Sequence, residues 1–350
     1  MATLASAYRH FVVPNSKAHG RDACRASYLT HLKPGGQAAL TVDGETIWLD
    51  PGEANEGFAC EHILYSLISR VRSHFLVHAG AVAAPDRRQG LILVADAANG
   101  KTTLVLELLR RGFGFLSDEM AALARADGRL NAFPRALRLR DDTLKRVGLE
   151  QAGDNAPIWL GKRLVDVDDL APARLVNDAD LAHVIVMSDA PGTPVPAQDE
   201  LSFWLDRLEA GLLDEIRSLP GVARAEPVAG VRQAVIRVQA EHRMSVVAEV
   251  ERLSRAAGVH VLDIVKRDEV PATFAGPASL APLARADAVL ELLRRFQGGH
   301  HSALLQQDFG GHSAGLFREV SRLISQAQCH RLTVGPLPAM ADLVQSLVSN

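Results

Sequence analysis

Residues 90–119 have the sequence GLILVADAANGKTTLVLELLRRGFGFLSDE, and this stretch decides the predicted fold class. An apolar run at 90–94 is followed by a short polar turn and then by leucines and valines at the spacing of one helical face. A second apolar run leads into Asp118 and Glu119. The order predicts a strand, a loop, an amphipathic helix and another strand, which is the alternation of an α/β protein.

The loop carries the second half of a phosphate-binding (Walker A) motif. Gly100, Lys101 and Thr102 match its end, but Ala95 stands where the first glycine belongs. In such loops backbone N–H groups surround the phosphates, the lysine reaches the β- and γ-phosphates, and the hydroxyl binds Mg²⁺. The alternative is an ordinary turn with an exposed lysine. The predicted nucleotide-binding residues are Asn99, Gly100, Lys101, Thr102 and Thr103.

Two adjacent carboxylates follow the strand that comes after the loop helix. Strand ends gather at one edge of a parallel sheet, so Asp118 and Glu119 are expected beside the loop. One carboxylate can bind Mg²⁺ while the other accepts a proton from an attacking hydroxyl. Taken without the loop, the pair is typical of a plain acidic turn. The predicted metal ligands are Thr102, Asp118 and Glu119.

Two further side chains are candidates for the same site. His78 lies in FLVHAGAVAA (75–84), which predicts one strand beside the loop. We assign it a catalytic role with Lys101 and Asp118; the alternative is a satisfied core histidine. Arg135, in FPRALRLR (133–140), is a candidate clamp for the transferred phosphoryl group or an acidic substrate. Its alternative is a solvated basic residue on a strand.

The order of these pieces resembles a known family. HAGAVA, the 90–123 segment and FPRALRLR together are similar to the catalytic core of HPr kinase/phosphorylase and its relatives. SLAPLARADAVLELL and HRLTVGPLPAMADLV resemble the C-terminal part of the smaller HPr-kinase-related proteins of biosynthetic clusters. The resemblance covers residues 38–180 and 278–348. Two positions depart from the family: Ala95 replaces the first loop glycine, and Glu119 replaces the usual second aspartate.

The resemblance implies a fold and a function. It implies a P-loop core of the HPr kinase/carboxykinase type with a mixed sheet, using ATP and Mg²⁺ and forming homo-oligomers. His78, Lys101, Thr102 and Asp118 fall on the family's active-site positions. The implied activity is transfer of the γ-phosphoryl group to a serine or threonine hydroxyl of a peptide or protein, as some relatives modify ribosomal peptides. The alternatives are a nucleotide-binding regulatory or scaffold protein with a degenerate loop and, last, a carboxykinase-type enzyme.

The chain between 183 and 275 has a pattern of its own. We predict a strand at HVIVM (183–187), a helix at 199–218, then two strands, a helix and a strand. This β-α-β-β-α-β order is ferredoxin-like. It predicts an inserted α+β module at 183–275. Residues 1–182 are expected to form an N-terminal hairpin region, with a β-hairpin at 38–49, and the P-loop core. Residues 276–350 are expected to be a helical part that completes that core. The alternative is that HVIVM belongs to the sheet of the core.

Composition limits the partners. The chain has 350 residues, with 38 basic and 41 acidic side chains, so the net charge of −3 favours neither nucleic acid nor a membrane surface as partner. Three widely separated cysteines and no signal-peptide pattern predict a cytoplasmic protein. His300, His301 and His312 lack metal-ligand spacing, and their glycine-rich context favours a flexible substrate lid.

Overall fold

The computed structural model describes residues 7–11, 28–32, 38–42, 45–49, 54–96, 99–159, 162–170, 174–189, 198–205, 208–227, 233–259, 261–266, 276–297 and 302–349. The chain divides into two compact units. The first comprises Met1–Arg25, Ser66–Pro191 and Pro271–Asn350, and the second comprises Ala26–Tyr65 and Gly192–Val270. No helix in these described ranges is both long enough and apolar enough to cross a membrane.

The regular elements are as follows. The strands are β1 (Tyr28–Leu32), β2 (Ala38–Val42), β3 (Glu45–Leu49), β4 (His74–Val77), β5 (Gly80–Ala83), β6 (Gln89–Val94), β7 (Gly114–Ser117), β8 (Ala121–Ala124), β9 (Arg129–Asn131), β10 (Leu137–Leu139), β11 (Ile158–Trp159), β12 (Lys162–Val165), β13 (Arg174–Leu175), β14 (Asp178–Ser188), β15 (Gln198–Leu205), β16 (Val222–Pro227), β17 (Gln233–Gln239), β18 (Val261–Lys266), β19 (Ser279–Pro282) and β20 (Gln328–Thr333). The helices are α1 (Ala54–Arg70), α2 (Lys101–Arg110), α3 (Asp141–Val147), α4 (Glu150–Gly153), α5 (Ala210–Arg217), α6 (Arg243–Ala256), α7 (Arg285–Arg294), α8 (Ser313–Leu323) and α9 (Leu337–Ser346). A π-helical turn spans Leu304–Asp308.

A ten-stranded mixed sheet organises the first unit. Its main path is β13-β7-β5-β6-β14-β9-β8-β4, and β20 pairs with both β14 and β19. Strand β5 is antiparallel to both of its neighbours, with Gly80 opposite Leu93 of β6 and Ala81 opposite Ser117 of β7. The start of β5 therefore lies at the same edge as the ends of β6 and β7.

The segment FLVHAGAVAA is not the single strand that the sequence predicts. It forms β4, which pairs with β8, and β5, which pairs with β6 and β7. The break falls at His78, whose backbone N–H donates to the carbonyl of Arg295 at 2.8 Å. Because β4 and β5 pair with different strands, the chain must leave β8 before it pairs with β6 and β7. His78 therefore lies between the two strands.

Helix α2 begins at Gly100 and buries the face that the sequence predicts. Gly100 has φ 77°, a left-handed conformation that glycine adopts without steric cost. Leu104, Val105, Leu108 and Leu109 are buried in a core that also contains Met340 and Val344 of α9. The helix end is tied to α9 as well, because Arg111 donates to Asp342 at 2.6 Å.

The second unit contains a four-stranded antiparallel sheet in the order β16-β17-β15-β18. Helices α5 and α6 contribute Ile216 and Val250 to one apolar core with Phe203 and Ile236 of the sheet. The element order from β15 to β18 is β-α-β-β-α-β. Strands β1, β2 and β3 form a separate antiparallel sheet, so the hairpin predicted at 38–49 is confirmed, although its turn at 43–44 lies outside the described residues.

Three boundaries differ from the sequence prediction. HVIVM is part of β14, which pairs in parallel with β6, so the predicted boundary at 183 falls inside a strand of the large sheet. The helix predicted at 199–218 is instead strand β15 followed by helix α5. The residues of β15 pair with β17 on one side and β18 on the other, and Leu201, Phe203 and Leu205 lie in the apolar core of this unit. The part at 276–350, predicted as helical, also contains strands β19 and β20, which pair with each other.

Gly80 allows the loop helix to pack closely on the sheet. A Cβ atom at this position would lie 2.8 Å from a methyl carbon of Val105, in the buried face of α2. We therefore expect Gly80→Ala to lower the free energy of unfolding by about 1–3 kcal/mol, the usual cost of overpacking. Denaturant titration measures this change. Gly211→Ala is the matched control, because no atom lies within 4 Å of its added Cβ. Equal midpoints for the two variants would contradict the packing argument.

Candidate functional site

The edge formed by the ends of β6 and β7 brings the predicted site residues together. Lys101 and Thr102 open helix α2 after β6, and Asp118 and Glu119 follow β7 directly. The Thr102 hydroxyl donates to Oδ2 of Asp118 at 3.0 Å. Since this bond crosses from the loop helix to the next strand, it fixes the hydroxyl and the carboxylate as one unit.

Lys101 and Asp118 hold opposite charges in a buried position. Asp118 is only 4% exposed. The Nζ atom of Lys101 and the Oδ1 atom of Asp118 are buried and have no hydrogen-bond partner among the described residues. Burial lowers the pKa of Lys101, against the attraction of Asp118. Burial also raises the pKa of Asp118, against the attraction of Lys101. Both groups are therefore removed from water, and each has an atom that could still form a hydrogen bond. Burying a polar atom without a hydrogen bond costs free energy.

The start of α2 offers backbone N–H donors next to Lys101. Asn99 is buried, and its N–H donates to the carbonyl of Asp96 at 3.3 Å. Within the described chain no side chain caps the start of α2, so the first-turn amides are left without intrahelical partners. The adjacent Thr103 is buried. Ala97 and Ala98 lie outside the described residues.

These features fit a triphosphate and its magnesium ion. A helix start offers N–H donors and positive potential to an anion. The buried ammonium of Lys101 supplies a charge that lacks a hydrogen-bond acceptor among the described residues. Thr102 and Asp118 place a hydroxyl and a carboxylate within 3.0 Å of each other, and both are oxygen ligands of the kind that Mg²⁺ takes.

Glu119 contacts arginines. Arg138 donates to one of its oxygens at 2.7 Å and Arg135 to the other at 3.1 Å. Burial alone would raise the pKa of Glu119, but Arg138 and then Arg135 outweigh it and hold the pKa well below its usual range. The predicted role of Glu119 as a metal ligand stays a prediction that these contacts do not favour. Arg135 is itself buried, with its guanidinium 5.7 Å from the ring centre of Tyr8, so it supports the site from inside.

His78 lies close enough to Lys101 for their charges to interact. Repulsion by the Lys101 ammonium, and burial second, lower the pKa of His78 to about 3. The side chain also reaches the surface, so water screens part of this effect. A neutral imidazole at pH 7 can donate or accept one hydrogen bond at the site without adding positive charge.

The sequence analysis missed two cations near the site. Arg295 donates to the carboxylate of Asp96 at 2.7 Å and to the carbonyl of Ala95 at 3.3 Å. Lys162, on β12, lowers the pKa of Asp118, where it opposes the larger effect of burial. No local pattern marks either residue, since Arg295 is 200 positions from Ala95 and reaches it only through the fold.

A second cluster of polar side chains lies outside this edge. Among the described residues, His10, Asp166 and Asp168 are spaced as metal ligands could be. His10 Nε2 and Asp166 Oδ1 are 2.8 Å apart, and Asp166 also accepts the backbone N–H of Asp168. These contacts explain the cluster without a metal ion, because they anchor the segment around His10 to Asp166. His300 and His301 lie outside the described residues, and His312 is exposed.

The comparisons with known proteins add little. No family model and no curated protein matches the chain. Among solved structures, the chain is similar to the Hpr(Ser) kinase/phosphatase from Coxiella burnetii, with 16% sequence identity over 52% of this chain and 97% of that chain. The TM-score is 0.21, which is too low to carry an argument. The function must therefore be argued from the residues of this chain.

The ion pairs of Glu119 lead to a stability prediction. Glu119→Gln removes a partly buried carboxylate held by two guanidinium groups, so we expect the free energy of unfolding at pH 7 to fall by about 2 kcal/mol. Because folding depresses the pKa of Glu119, its contribution is present above the unfolded value and is lost as the pH falls. The difference between wild type and variant should therefore shrink in acid.

Denaturant titrations at pH 7 and pH 4 measure this difference. Glu150→Gln is the control, because Glu150 is exposed, and we expect its midpoint to equal that of the wild type within a few tenths of a kcal/mol. A Glu119→Gln variant as stable as the wild type at pH 7 would show that the arginines do not depend on this carboxylate.

Proposed function

We propose that the protein is an ATP-dependent phosphotransferase that moves the γ-phosphoryl group to a hydroxyl. The observation that carries the proposal is the buried pair of Lys101 Nζ and Asp118 Oδ1, neither of which has a hydrogen-bond partner among the described residues. A buried ammonium at a helix start binds phosphate oxygens, and a buried carboxylate with a raised pKa accepts a proton. These two properties support the proposal, because phosphoryl transfer needs a positive charge that binds phosphate and a group that accepts the proton of the attacking hydroxyl.

The chain's own residues divide the work as follows. Lys101 and the amides of residues 100–103 bind the phosphates. Thr102 and the Oδ2 atom of Asp118 would hold Mg²⁺, which when bound neutralises charge on the β- and γ-phosphate oxygens. The Oδ1 atom of Asp118 takes the proton from the acceptor hydroxyl. The acceptor oxygen bonds to the γ-phosphorus as the bridging bond to ADP breaks, and ADP leaves with that electron pair.

The remaining residues support this centre. Glu119 holds Arg135 and Arg138 in place, and we assign it to that task in preference to metal binding. His78 remains neutral and supplies one hydrogen bond near Lys101. The acceptor we propose is a serine or threonine hydroxyl of a peptide or protein, on the strength of the sequence resemblance alone.

The alternative is a nucleotide-binding regulatory protein with little turnover. Two observations favour it: Ala95 occupies the first glycine position, and Glu119 pairs with arginines. This protein would bind ATP through the same residues and transfer no phosphoryl group.

The test is transfer of label from γ-labelled ATP, with Mg²⁺, to a set of serine- and threonine-containing peptides. We expect Lys101→Ala and Asp118→Asn each to reduce transfer about 10²-fold or more, because one removes the phosphate-binding charge and the other the base. Lys145→Ala is the matched control, because Lys145 is exposed on α3, and it should retain wild-type transfer.

Two outcomes decide against the enzyme. Tight ATP binding without transfer or hydrolysis would favour the regulatory protein. Transfer that survives both substitutions would show that the label moves at some other site.

A further inference from the structure

Arg295 reaches the start of the phosphate loop from the far end of the chain. It follows helix α7 directly. Its Nη2 atom donates to Asp96 at 2.7 Å, and its Nε atom donates to the Ala95 carbonyl at 3.3 Å. Nη1 donates to the Glu291 carbonyl at 3.1 Å, and only 13% of the side chain is exposed. One guanidinium thus holds two consecutive loop residues.

These contacts fix the orientation of the loop backbone. The Ala95 carbonyl, in the peptide unit before Asp96, is held by Arg295. The Asp96 carbonyl, in the unit after it, accepts the N–H of Asn99 at 3.3 Å. Both peptide units are therefore restrained at the position where the loop lacks its first glycine. Restrained amides bind an anion without paying for reorganisation.

Arg295 also balances a charge that opposes nucleotide binding. Asp96 leaves 65% of its side chain exposed at the start of the loop. An unpaired carboxylate here would repel a triphosphate, because like charges at close range cost free energy even when water screens them. The guanidinium at 2.7 Å offsets part of that charge, while its Nη1 atom pairs with the Glu291 carboxylate.

We propose that Arg295 is a positioning residue for nucleotide binding. It holds the loop where the first glycine is missing, and it offsets the negative charge of Asp96 so that a nucleoside triphosphate can approach. This inference rests on the proposed function, because it takes the loop to be a triphosphate site.

The contacts that attach α7 to the sheet do not need the Arg295 side chain. The Arg295 carbonyl accepts the N–H of His78, and the N–H of Gln297 donates to the carbonyl of Leu76 at 2.9 Å. Phe296 stacks on Phe75 with ring centres 5.1 Å apart. These contacts involve the backbone or the next side chain, so replacing the Arg295 side chain tests the loop contacts separately from the attachment of the helix.

The experiment measures the Kd of a non-hydrolysable ATP analogue with Mg²⁺ for the full chain. We expect Arg295→Ala to raise the Kd about tenfold or more, the effect of losing a charge-assisted contact. Arg295→Lys keeps the positive charge but loses the several N–H donors of the guanidinium. Its Kd should therefore lie between those of the wild type and Arg295→Ala. Arg285→Ala is the matched control: Arg285 is exposed at the other end of α7, and the Kd of this variant should equal that of the wild type.

A second substitution separates binding from mere structural support. Asp96→Asn should restore part of the affinity lost in Arg295→Ala, because the charge that needed cancelling is gone; a purely structural defect would not recover. Wild-type affinity in both Arg295 variants would overturn the inference and leave the proposed function standing. No recovery in the double variant would overturn the charge argument. A wild-type protein that does not bind the analogue would overturn the proposed function as well.

Discussion

The antiparallel placement of β5 between β6 and β7 is the constraint on which the site depends. Because β6 and β7 both flank β5 in the opposite direction, they are parallel to each other, and their carboxyl ends meet at one edge. Helix α2 makes the connection between them and starts at that edge. The Thr102–Asp118 hydrogen bond then joins the start of α2 to the residue that follows β7, across the one strand between β6 and β7. If β7 ran in the opposite direction, the lysine and the carboxylate would lie at opposite edges of the sheet.

Electrostatics explains why these groups are suited to a reaction. Lys101 and Asp118 are both desolvated, so each interacts more strongly with a bound partner than an exposed group would. Glu119 belongs to a separate set of contacts, because two arginines occupy its oxygens. The two neighbouring carboxylates thus have opposite pKa shifts, upward for Asp118 by burial and downward for Glu119 through Arg138 and Arg135 against burial. This difference supports the proposal that Asp118 accepts the proton and that Glu119 holds the arginines.

The parts of the fold that follow from local signals were predictable. The helix after the loop was visible in its apolar spacing, and strand β7 was visible in the apolar run that leads into Asp118. The features that depend on distant neighbours were not. FLVHAGAVAA contains nothing that marks a change of sheet partner at His78, and HVIVM has the same apolar character in either of two sheets. Arg295 reaches the loop only because the fold returns α7 to the start of β5.

The claim that Lys101 and Asp118 converge on one triphosphate is tested most directly by a crystal structure with a non-hydrolysable ATP analogue and Mg²⁺. The account predicts a β- or γ-phosphate oxygen at about 2.7–3.2 Å from Lys101 Nζ. It also predicts Mg²⁺ at about 2.0–2.1 Å from the Thr102 hydroxyl oxygen. Asp118 should bind the same ion, either directly or through a water molecule. A nucleotide bound elsewhere, or one whose phosphates leave Lys101 Nζ without a contact, would contradict it.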